Sequence, residues 1–295
     1  MTEPELVPEG ALADVDVGIS VSDSADLARL GLDPRHAHLA IGEIARAVLV
    51  AGGRLTYGGR IKPSGFTQQL MNEVRRYGTA RRSLTICLAL SEHRKLSLTE
   101  LEDTDRQLGT WGRLIALNAD GEEMSWRDGR GSEGTTIEDV EERQTALSSL
   151  RRFITKETKA HVLLGGQLSG FQGAMPGLIE EAMLAVEHKQ PVYLAAGFGG
   201  AVAAAAKALG SGSLDWLPAD IPAGQDDARV LTALVALVKV AAKTDWAPET
   251  NGLTGDENQL LTASHRPGEV ASLVVLGMAR RFAAEHGPTG PDGQA

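Results

Sequence analysis

Short apolar runs alternate with longer amphipathic segments along most of the chain. The short runs are nearly continuous, as in "VDVGISV", "SLTICLAL", "AHVLLGG" and "PVYLAA", and this is typical of strands buried on both faces of a sheet. The longer segments carry apolar residues at helical spacing, as in "PRHAHLAIGEIARAVLV" and "GFTQQLMNEVRRYG". Strands separated by helices predict an α/β fold with a parallel sheet that helices cover on both faces.

The same pattern predicts one domain with unstructured ends. Residues 1–14 are acidic and lack an apolar core, and residues 286–295 are rich in Gly and Pro, so we expect both segments to be disordered. Residues 15–285 form the predicted domain, and within it residues 210–285 form a helical C-terminal extension. We expect this extension to pack on the sheet or on a neighbouring subunit, where it would be the natural surface of a homo-oligomer.

Composition and charge exclude several classes of function. The chain is 42% hydrophobic but only 4% aromatic, which predicts an aliphatic core, and its net charge of -10 disfavours binding along a nucleic-acid backbone. Cys87 is the one cysteine, so no intrachain disulfide is expected, and the lack of a Cys/His set predicts no metal site. No apolar run approaches the ~20 residues of a membrane span, and the N-terminus does not resemble a signal peptide. We therefore expect a cytoplasmic protein that contacts neither membranes nor nucleic acid.

A glycine-rich loop follows the predicted strand "RLTY". Gly58, Gly59 and Gly65 lie between this strand and the next helix, where glycine permits a tight turn. The start of a helix presents free N–H groups and a positive dipole end to an anion. Ser64 is placed to cap this helix, and Lys62 is placed to meet a phosphate. Neither G-x-G-x-x-G nor the P-loop motif is present, so the loop indicates an anion site without naming a nucleotide family.

Two further glycine-rich loops follow predicted strands, in "LLGGQLSGFQGAMPGLIEEA" and in "AAGFGGA". In a parallel sheet the carboxyl ends of the strands share one edge, so the three loops predict a pocket for an extended phosphorylated ligand such as a nucleotide. Polar residues after the first strand either contact a base or ribose there or only form a turn. The predicted ligand-binding residues are Ser22, Asp23, Ser24, Gly58, Gly59, Lys62, Ser64, Gly65, Gly165, Gly166, Gly173, Pro176, Gly177, Glu180, Gly197, Gly199 and Gly200.

The polar, glycine-rich segment 118–134 has two interpretations. It is either a flap over the pocket, with Trp126 stacking on a base, or a plain surface loop. The pattern of residues leaves both open.

These segments resemble the SLOG superfamily of Rossmann-like nucleotide-binding proteins over roughly residues 15–210. "LTYGGRIKPSGFTQQLMNEV" is similar to the "VYGGG…GLMG" segment of the lonely-guy (LOG) phosphoribohydrolases, and "ALSSLRRFITKETKAHVLLGG" resembles their arginine-bearing helix and the strand after it. The run from "LLGGQLSG" to "AAGFGGA", with "NGLTGDENQLL", looks closest to the branch found in bacterial conflict systems such as Thoeris. The resemblance implies a Rossmann-like, doubly wound parallel sheet, a nucleotide-type ligand and no obligatory cofactor.

The chain departs from the enzymes of this family at their catalytic motif. Those enzymes carry Pro-Gly-Gly, then Gly-Thr, then a glutamate; here Leu164 replaces the proline and no Gly-Thr pair follows. The family's arginine falls at Arg151 or Arg152, which would bind phosphate, while Glu180 or Glu181 would stand at the ribose. These four residues are catalytic candidates only if the protein is an enzyme, because cleavage of an N-glycosidic bond calls for a carboxylate beside an oxocarbenium-like centre.

The degraded motif favours binding over turnover. By resemblance, the protein is expected to be a sensor of an NAD-derived or cyclic ADP-ribose-like signal in bacterial antiphage defence, with a TIR protein or another effector as a partner. The alternative is a nucleotide N-glycosidic hydrolase, either a LOG-like phosphoribohydrolase or an NAD glycohydrolase. A third interpretation, a small-molecule carrier or scaffold, requires neither turnover nor ligand-linked assembly.

Overall fold

Within residues 6–79, 81–128 and 133–286, which the computed structural model describes, seven strands form one sheet. The strands are β1 (Asp16–Ser22), β2 (Arg54–Gly58), β3 (Leu84–Leu88), β4 (Gly112–Leu117), β5 (Glu123–Met124), β6 (Ala160–Gly165) and β7 (Val192–Ala195). Their order is β5-β4-β3-β2-β1-β6-β7, and all neighbours are parallel except β4 and β5. The predicted α/β class with a doubly wound, mostly parallel sheet is confirmed.

Helices connect the strands and cover both faces of the sheet. They are α1 (Pro34–Val50), α2 (Phe66–Tyr77), α3 (Leu90–His93), α4 (Leu98–Leu108), α5 (Val140–Glu157), α6 (Gly177–Glu187), α7 (Gly200–Leu209), α8 (Ala228–Thr244), α9 (Gly255–Ala263) and α10 (Pro267–His286). One aliphatic cluster joins α1, α2 and α10 to one face of the sheet, while α5 and the group α6–α8 pack on the other. The C-terminal extension is therefore helical and packs on the rest of the domain, as predicted.

Local capping explains where the structure differs from the helices expected from the sequence. The pattern of residues 135–157 predicts one long helix, but α5 begins only at Val140, because the Asp139 carboxylate caps it by accepting from the N–H groups of Glu141 and Glu142. α4 is not among the helices predicted from the sequence, although Ser97 and Glu100 form a capping box at its start. Segment 118–134 contributes β5, which pairs with β4.

The predicted disordered ends are only partly described. Residues 6–14 differ from the expectation, because they form turns that bury Leu12 in the core, where its N–H donates to Ala51. Residues 1–5 and 287–295 lie outside the described residues. Among the described residues no helix combines the length and apolarity needed to cross a bilayer.

The direction of winding reverses at β1. The chain adds β2, β3 and β4 on one side of β1 and then returns to add β6 and β7 on the other. β1 and β6 are neighbours, and Ser22 at the end of β1 is in register with Gly165 at the end of β6. Connections that leave these two strands in opposite directions open a crevice at their carboxyl ends, and ligands bind there in sheets of this type.

Candidate functional site

A cleft of about 640 Å³ lies at this reversal point. Its walls come from the end of β1, the connection from β2 into α2, one face of α5, and the connection from β6 into α6. The residues that these segments contribute include Ser20, Ser22, Asp23, Tyr57, Gly58, Gly59, Arg60, Lys62, Ser64, Gly65, Phe66, Leu150, Arg151, Gln167, Gly170, Gly173, Gly177, Leu178 and Glu181. The structure thus brings together nine of the seventeen residues that the sequence predicted for the ligand.

The first turns of α2 and α6 both border the cleft. Gly65 is the N-cap of α2 and Pro176 precedes α6, and neither helix start has a side-chain cap. The first N–H groups of a helix have no partner within it, so uncapped starts leave donors and a positive dipole end for an anion. The prediction that Ser64 caps α2 is wrong, because Ser64 has a positive φ of 57° and the helix begins one residue later than that role requires.

A buried arginine joins α5 to α6 at the floor of the cleft. The Arg151 guanidinium donates to the Glu180 carboxylate, and its Nε lies 3.6 Å from Oε1 of Glu181. The side chain of Arg151 is only 11% exposed, and those of Glu180 and Glu181 are 7% and 14% exposed. Glu181 also accepts a hydrogen bond from the hydroxyl of Ser20 on β1. Three elements therefore meet at one charged cluster.

Glycine makes room for this arginine. A Cβ at Gly177 would lie 2.6 Å from a guanidinium nitrogen of Arg151, and a Cβ at Gly173 would lie 3.1 Å from another. Both glycines were predicted to contact a ligand, and the structure places the arginine directly beside both, together with the carbonyl oxygen of Met175 at Gly173. The sequence left Arg151 and Arg152 open as alternatives; Arg151 lines the cleft, whereas Arg152 is exposed outside it.

Burial raises the pKa values of two side chains that line the cleft. Desolvation raises the pKa of the Glu181 carboxyl, and the nearby Arg151 cation and the Ser20 hydrogen bond oppose this rise. Of the pair Glu180 and Glu181, only Glu181 lines the cleft, while Glu180 lies behind it as the partner of Arg151. Burial also raises the pKa of Tyr57, so its phenol stays neutral and offers an O–H group at the cleft wall.

Cations and carboxylates are balanced around the cleft. Arg60, Lys62 and Arg151 face Asp23, Glu92 and Glu181. Arg60 and Glu92 form an ion pair with 3.1 Å between Nε and Oε2, and Lys62 is exposed at the rim. Such a lining suits a ligand that carries phosphate and hydroxyl groups together, since phosphate needs donors and a carboxylate accepts from hydroxyls.

The third predicted glycine loop is not part of the cleft. The carboxylate of Asp26, which is 1% exposed, accepts from the N–H of Gly200 at 2.7 Å and from the N–H of Ala223 at 2.9 Å. A Cβ at Gly197 would overlap the carbonyl of Ser264. This loop is filled by the protein's own chain, which leaves no room there for a ligand. The predicted residues that do not line the cleft are Ser24, Gly165, Gly166, Pro176, Glu180, Gly197, Gly199 and Gly200.

Two glycines at the end of β2 line the cleft but owe their identity to packing. A side chain at Gly58 would overlap Ile154 of α5, and one at Gly59 would overlap the ring of Tyr57. Trp126, which the flap interpretation would stack on a base, is instead buried in the main hydrophobic cluster, 8% exposed. The structure therefore gives Trp126 a role in the core and none in the cleft.

Sequence reasoning missed several side chains in the cleft. These are Ser20, His38, Tyr57, Arg60, Phe66 and Glu92. Ser20 and Tyr57 lie close to the carboxyl ends of β1 and β2, so their positions in the predicted strands could have identified them as cleft residues. His38 and Glu92 reach the cleft from α1 and α3, and nothing local in the sequence marks them. No group of His, Cys, Asp and Glu within the described ranges is arranged to hold a metal ion.

The family model described as SLOG cluster2 matches residues 11–261, a range that contains every cleft residue named above. A search of the curated proteins finds no match. The family match points to a nucleotide-related function.

Proposed function

This chain belongs to the SLOG family, and on that premise we propose that it is a nucleotide-binding sensor rather than an enzyme. The observation that supports this most is the position of Arg151 at the floor of the cleft, beside two uncapped helix starts. An arginine and two helix N-termini form an anion site that suits phosphate, and the carboxylate of Glu181 next to it suits a ribose hydroxyl. The ligand class that combines these groups is a nucleotide.

The charged cluster also favours binding over turnover. Glu180 and Glu181 flank the same guanidinium, and Glu181 is further engaged by Ser20. A carboxylate held in this way is well placed to accept from a sugar hydroxyl, and its orientation is already fixed before a ligand arrives. Loss of the Gly-Thr pair of the LOG enzymes agrees with this proposal. By resemblance we extend it to an NAD-derived or cyclic ADP-ribose-like signal, a role in antiphage defence, and a TIR protein or another effector as the partner.

One observation favours the second candidate, an N-glycosidic hydrolase. Glu181 lines the cleft and burial raises its pKa, and a carboxyl with these properties is what general acid–base chemistry uses. The two candidate functions differ in the fate of the ligand, because a sensor releases its ligand intact whereas a hydrolase cleaves it.

We expect AMP, ADP-ribose, NAD or cyclic ADP-ribose to raise the melting temperature of the protein without being consumed. A ligand at 100 times its Kd adds about 2.7 kcal/mol to the free energy of unfolding, which a thermal-shift assay resolves. Chromatography of the same samples then measures any released base. Release of base that stops in Glu181→Gln, but continues in the control Glu187→Gln at the exposed end of α6, would replace the sensor by the hydrolase.

A sensor must convert ligand binding into a further event. We propose that this event is self-association of the chain through the outer face of α8. Leu231, Val235 and Val238 form an apolar stripe there, and they are between 42% and 53% exposed. Asp226 and Asp227 stand at the start of this helix, where Asp227 is paired with Arg229 and Asp226 keeps the end acidic. Lys239 and Lys243 lie towards its end. In an antiparallel pair of α8 helices centred on Val235, the acidic start of one copy lies beside the basic end of the other. This self-complementarity of charge fits a second copy of the chain.

Val235→Glu is expected to abolish this association, because it places two like charges opposite each other at the centre of the contact. Light scattering over a range of protein concentrations, with and without nucleotide, gives the mass of the species. The matched control is Leu260→Glu on α9, which likewise changes an exposed aliphatic residue of a helix to an acid. A dimer that persists in Val235→Glu, or that is lost equally in Leu260→Glu, would contradict the proposed surface.

A further inference from the structure

The imidazole of His38 lines the cleft in a fixed plane. His38 lies in the second turn of α1, and its ring stacks on the ring of Phe66 at the start of α2, with centroids 4.2 Å apart and an interplanar angle of 16°. Both rings border the cleft. Stacking fixes the plane of the imidazole. The groups that His38 can bind are therefore those that lie at the edge of its ring.

Gln69 determines which nitrogen of His38 carries the proton. Nδ1 of His38 is 2.7 Å from the Oε1 atom of Gln69, and the Nε2 atom of the same amide donates to the backbone carbonyl of His38. A carbonyl only accepts, so the amide atom that faces it must be the nitrogen, and the atom that faces Nδ1 must be the oxygen. That oxygen also only accepts, so Nδ1 is the protonated nitrogen.

The second ring nitrogen is therefore an acceptor in the neutral imidazole. With the proton on Nδ1, Nε2 carries a lone pair at the side of the ring opposite Gln69. Within the part of the chain that the structure describes, the hydrogen bonds of the His38 ring use Nδ1 and leave Nε2 for a ligand. A hydrogen-bond donor on the ligand is the group that completes this arrangement.

A glycine on α1 makes the arrangement possible. A Cβ at Gly42 would lie 2.7 Å from Nε2 of Gln69. Any other residue at this position would displace the amide that orients His38. Gly42, Gln69 and Phe66 thus all act on the position or protonation of one imidazole, although none of these contacts was evident from the sequence.

We propose that His38 reads the base of the bound nucleotide. Its Nε2 accepts from an exocyclic amino group, so the cleft selects adenine or cytosine over hypoxanthine or uracil, which carry a carbonyl at the same position. This inference rests on the proposed nucleotide-binding function of the same cleft and adds to it the chemical class of the base. His38 is the residue that contacts the base, and Gln69 is a positioning residue.

The test compares AMP with IMP and CMP with UMP by isothermal titration calorimetry at mildly alkaline pH. The wild type is expected to bind the amino member of at least one pair about tenfold or more tightly, because a carbonyl in its place would face the lone pair of Nε2 without a hydrogen bond. His38→Phe keeps a flat ring against Phe66 but removes Nε2. In this variant the preference is expected to fall to within about twofold, because the acceptor that distinguishes an amino group from a carbonyl is absent.

Two variants test the positioning role. Gln69→Leu removes the group that orients the ring, and Gly42→Ala displaces it, so both are expected to reduce the preference for the amino member. The control is Gln68→Leu, a half-buried residue of the same helix that lies outside the cleft and whose side-chain amide donates to Asn72. A purely structural defect lowers the affinity for both members of a pair equally and leaves their ratio unchanged, so the ratio separates the two explanations.

The outcomes of these titrations separate the role of His38 from nucleotide binding itself. If the wild type binds both members of each pair equally, or if the preference survives in His38→Phe, the role of His38 is overturned and nucleotide binding stands. If the wild type binds none of the four nucleotides, the proposed role of His38 is overturned. The nucleotide-binding function is overturned as well if ADP-ribose, NAD and cyclic ADP-ribose also leave the melting temperature unchanged.

Discussion

Arg151→Met is expected to weaken nucleotide binding by roughly 10–100-fold and to lower the free energy of unfolding by about 3 kcal/mol. Loss of a hydrogen bond to a charged group accounts for the first effect, at about 1.5–3 kcal/mol. The second follows because Glu180 and Glu181 stay buried without their cation, and removal of one member of a buried ion pair costs about 3–5 kcal/mol. Calorimetric titration with AMP and urea denaturation measure the two effects.

The stability defect of Arg151→Met should depend on pH in a defined direction. Burial already raises the pKa of Glu181 above its ordinary value of 4.5, and loss of the Arg151 cation raises it further. The folded state then holds a proton that the unfolded state releases, so the variant loses stability as pH rises from about 4.5 towards the raised pKa. We expect the gap between variant and wild type to be largest at neutral pH and to narrow as pH falls.

Arg152→Met is the matched control for this prediction. It removes the same charge from the next residue of α5, but Arg152 is exposed and lies outside the cleft. A surface substitution of this kind changes stability by no more than about 0.5 kcal/mol. Equal losses in Arg151→Met and Arg152→Met, or a stability gap that grows as pH falls, would contradict the assignment of Arg151 to the buried cluster.

Gly200→Ala is expected to destabilise the fold by about 2–5 kcal/mol, although the sequence had indicated Gly200 as a ligand contact. Two costs add. Gly200 has a positive φ of 65°, where an L-residue is strained by about 1–2 kcal/mol, and a Cβ there would overlap the carbonyl oxygen of Gly166. Overpacking against a fixed backbone costs a further 1–3 kcal/mol or so. Urea denaturation measures the loss directly.

Gly170→Ala separates these two costs. Gly170 has a similar φ of 67°, but a Cβ at this position meets no atom within 4 Å. The variant should therefore show the backbone strain alone, about 1–2 kcal/mol, and the difference between the two variants is the cost of the contact with Gly166. If Gly200→Ala is as stable as Gly170→Ala and only binds nucleotide less well, then Gly200 contacts the ligand, as the sequence had suggested.

Much of the fold was predictable because it depends on local patterns. The alternation of apolar runs and amphipathic segments predicted β1, β2, β3, β6 and β7 and most of the helices that connect them, and the capping box at Ser97 would have predicted α4. The edge of the sheet that carries the cleft was also predictable, since parallel strands place their carboxyl ends together. The side chains in the cleft were harder to predict. A side chain on a helix reaches the cleft only if the helix is rotated about its axis to present it.

The sequence by itself determined the fold class, the edge of the sheet at which a ligand would bind, and three glycine-rich connections at that edge, two of which border the cleft. Only the tertiary structure decided between Arg151 and Arg152 and showed that Glu181 faces the cleft while Glu180 lies behind it, because successive helical residues point about 100° apart. It also showed that Asp26 occupies the loop at Gly200. The physical reason is that strand and helix periods are encoded between neighbours, whereas a cleft is formed by contacts between residues far apart in the chain.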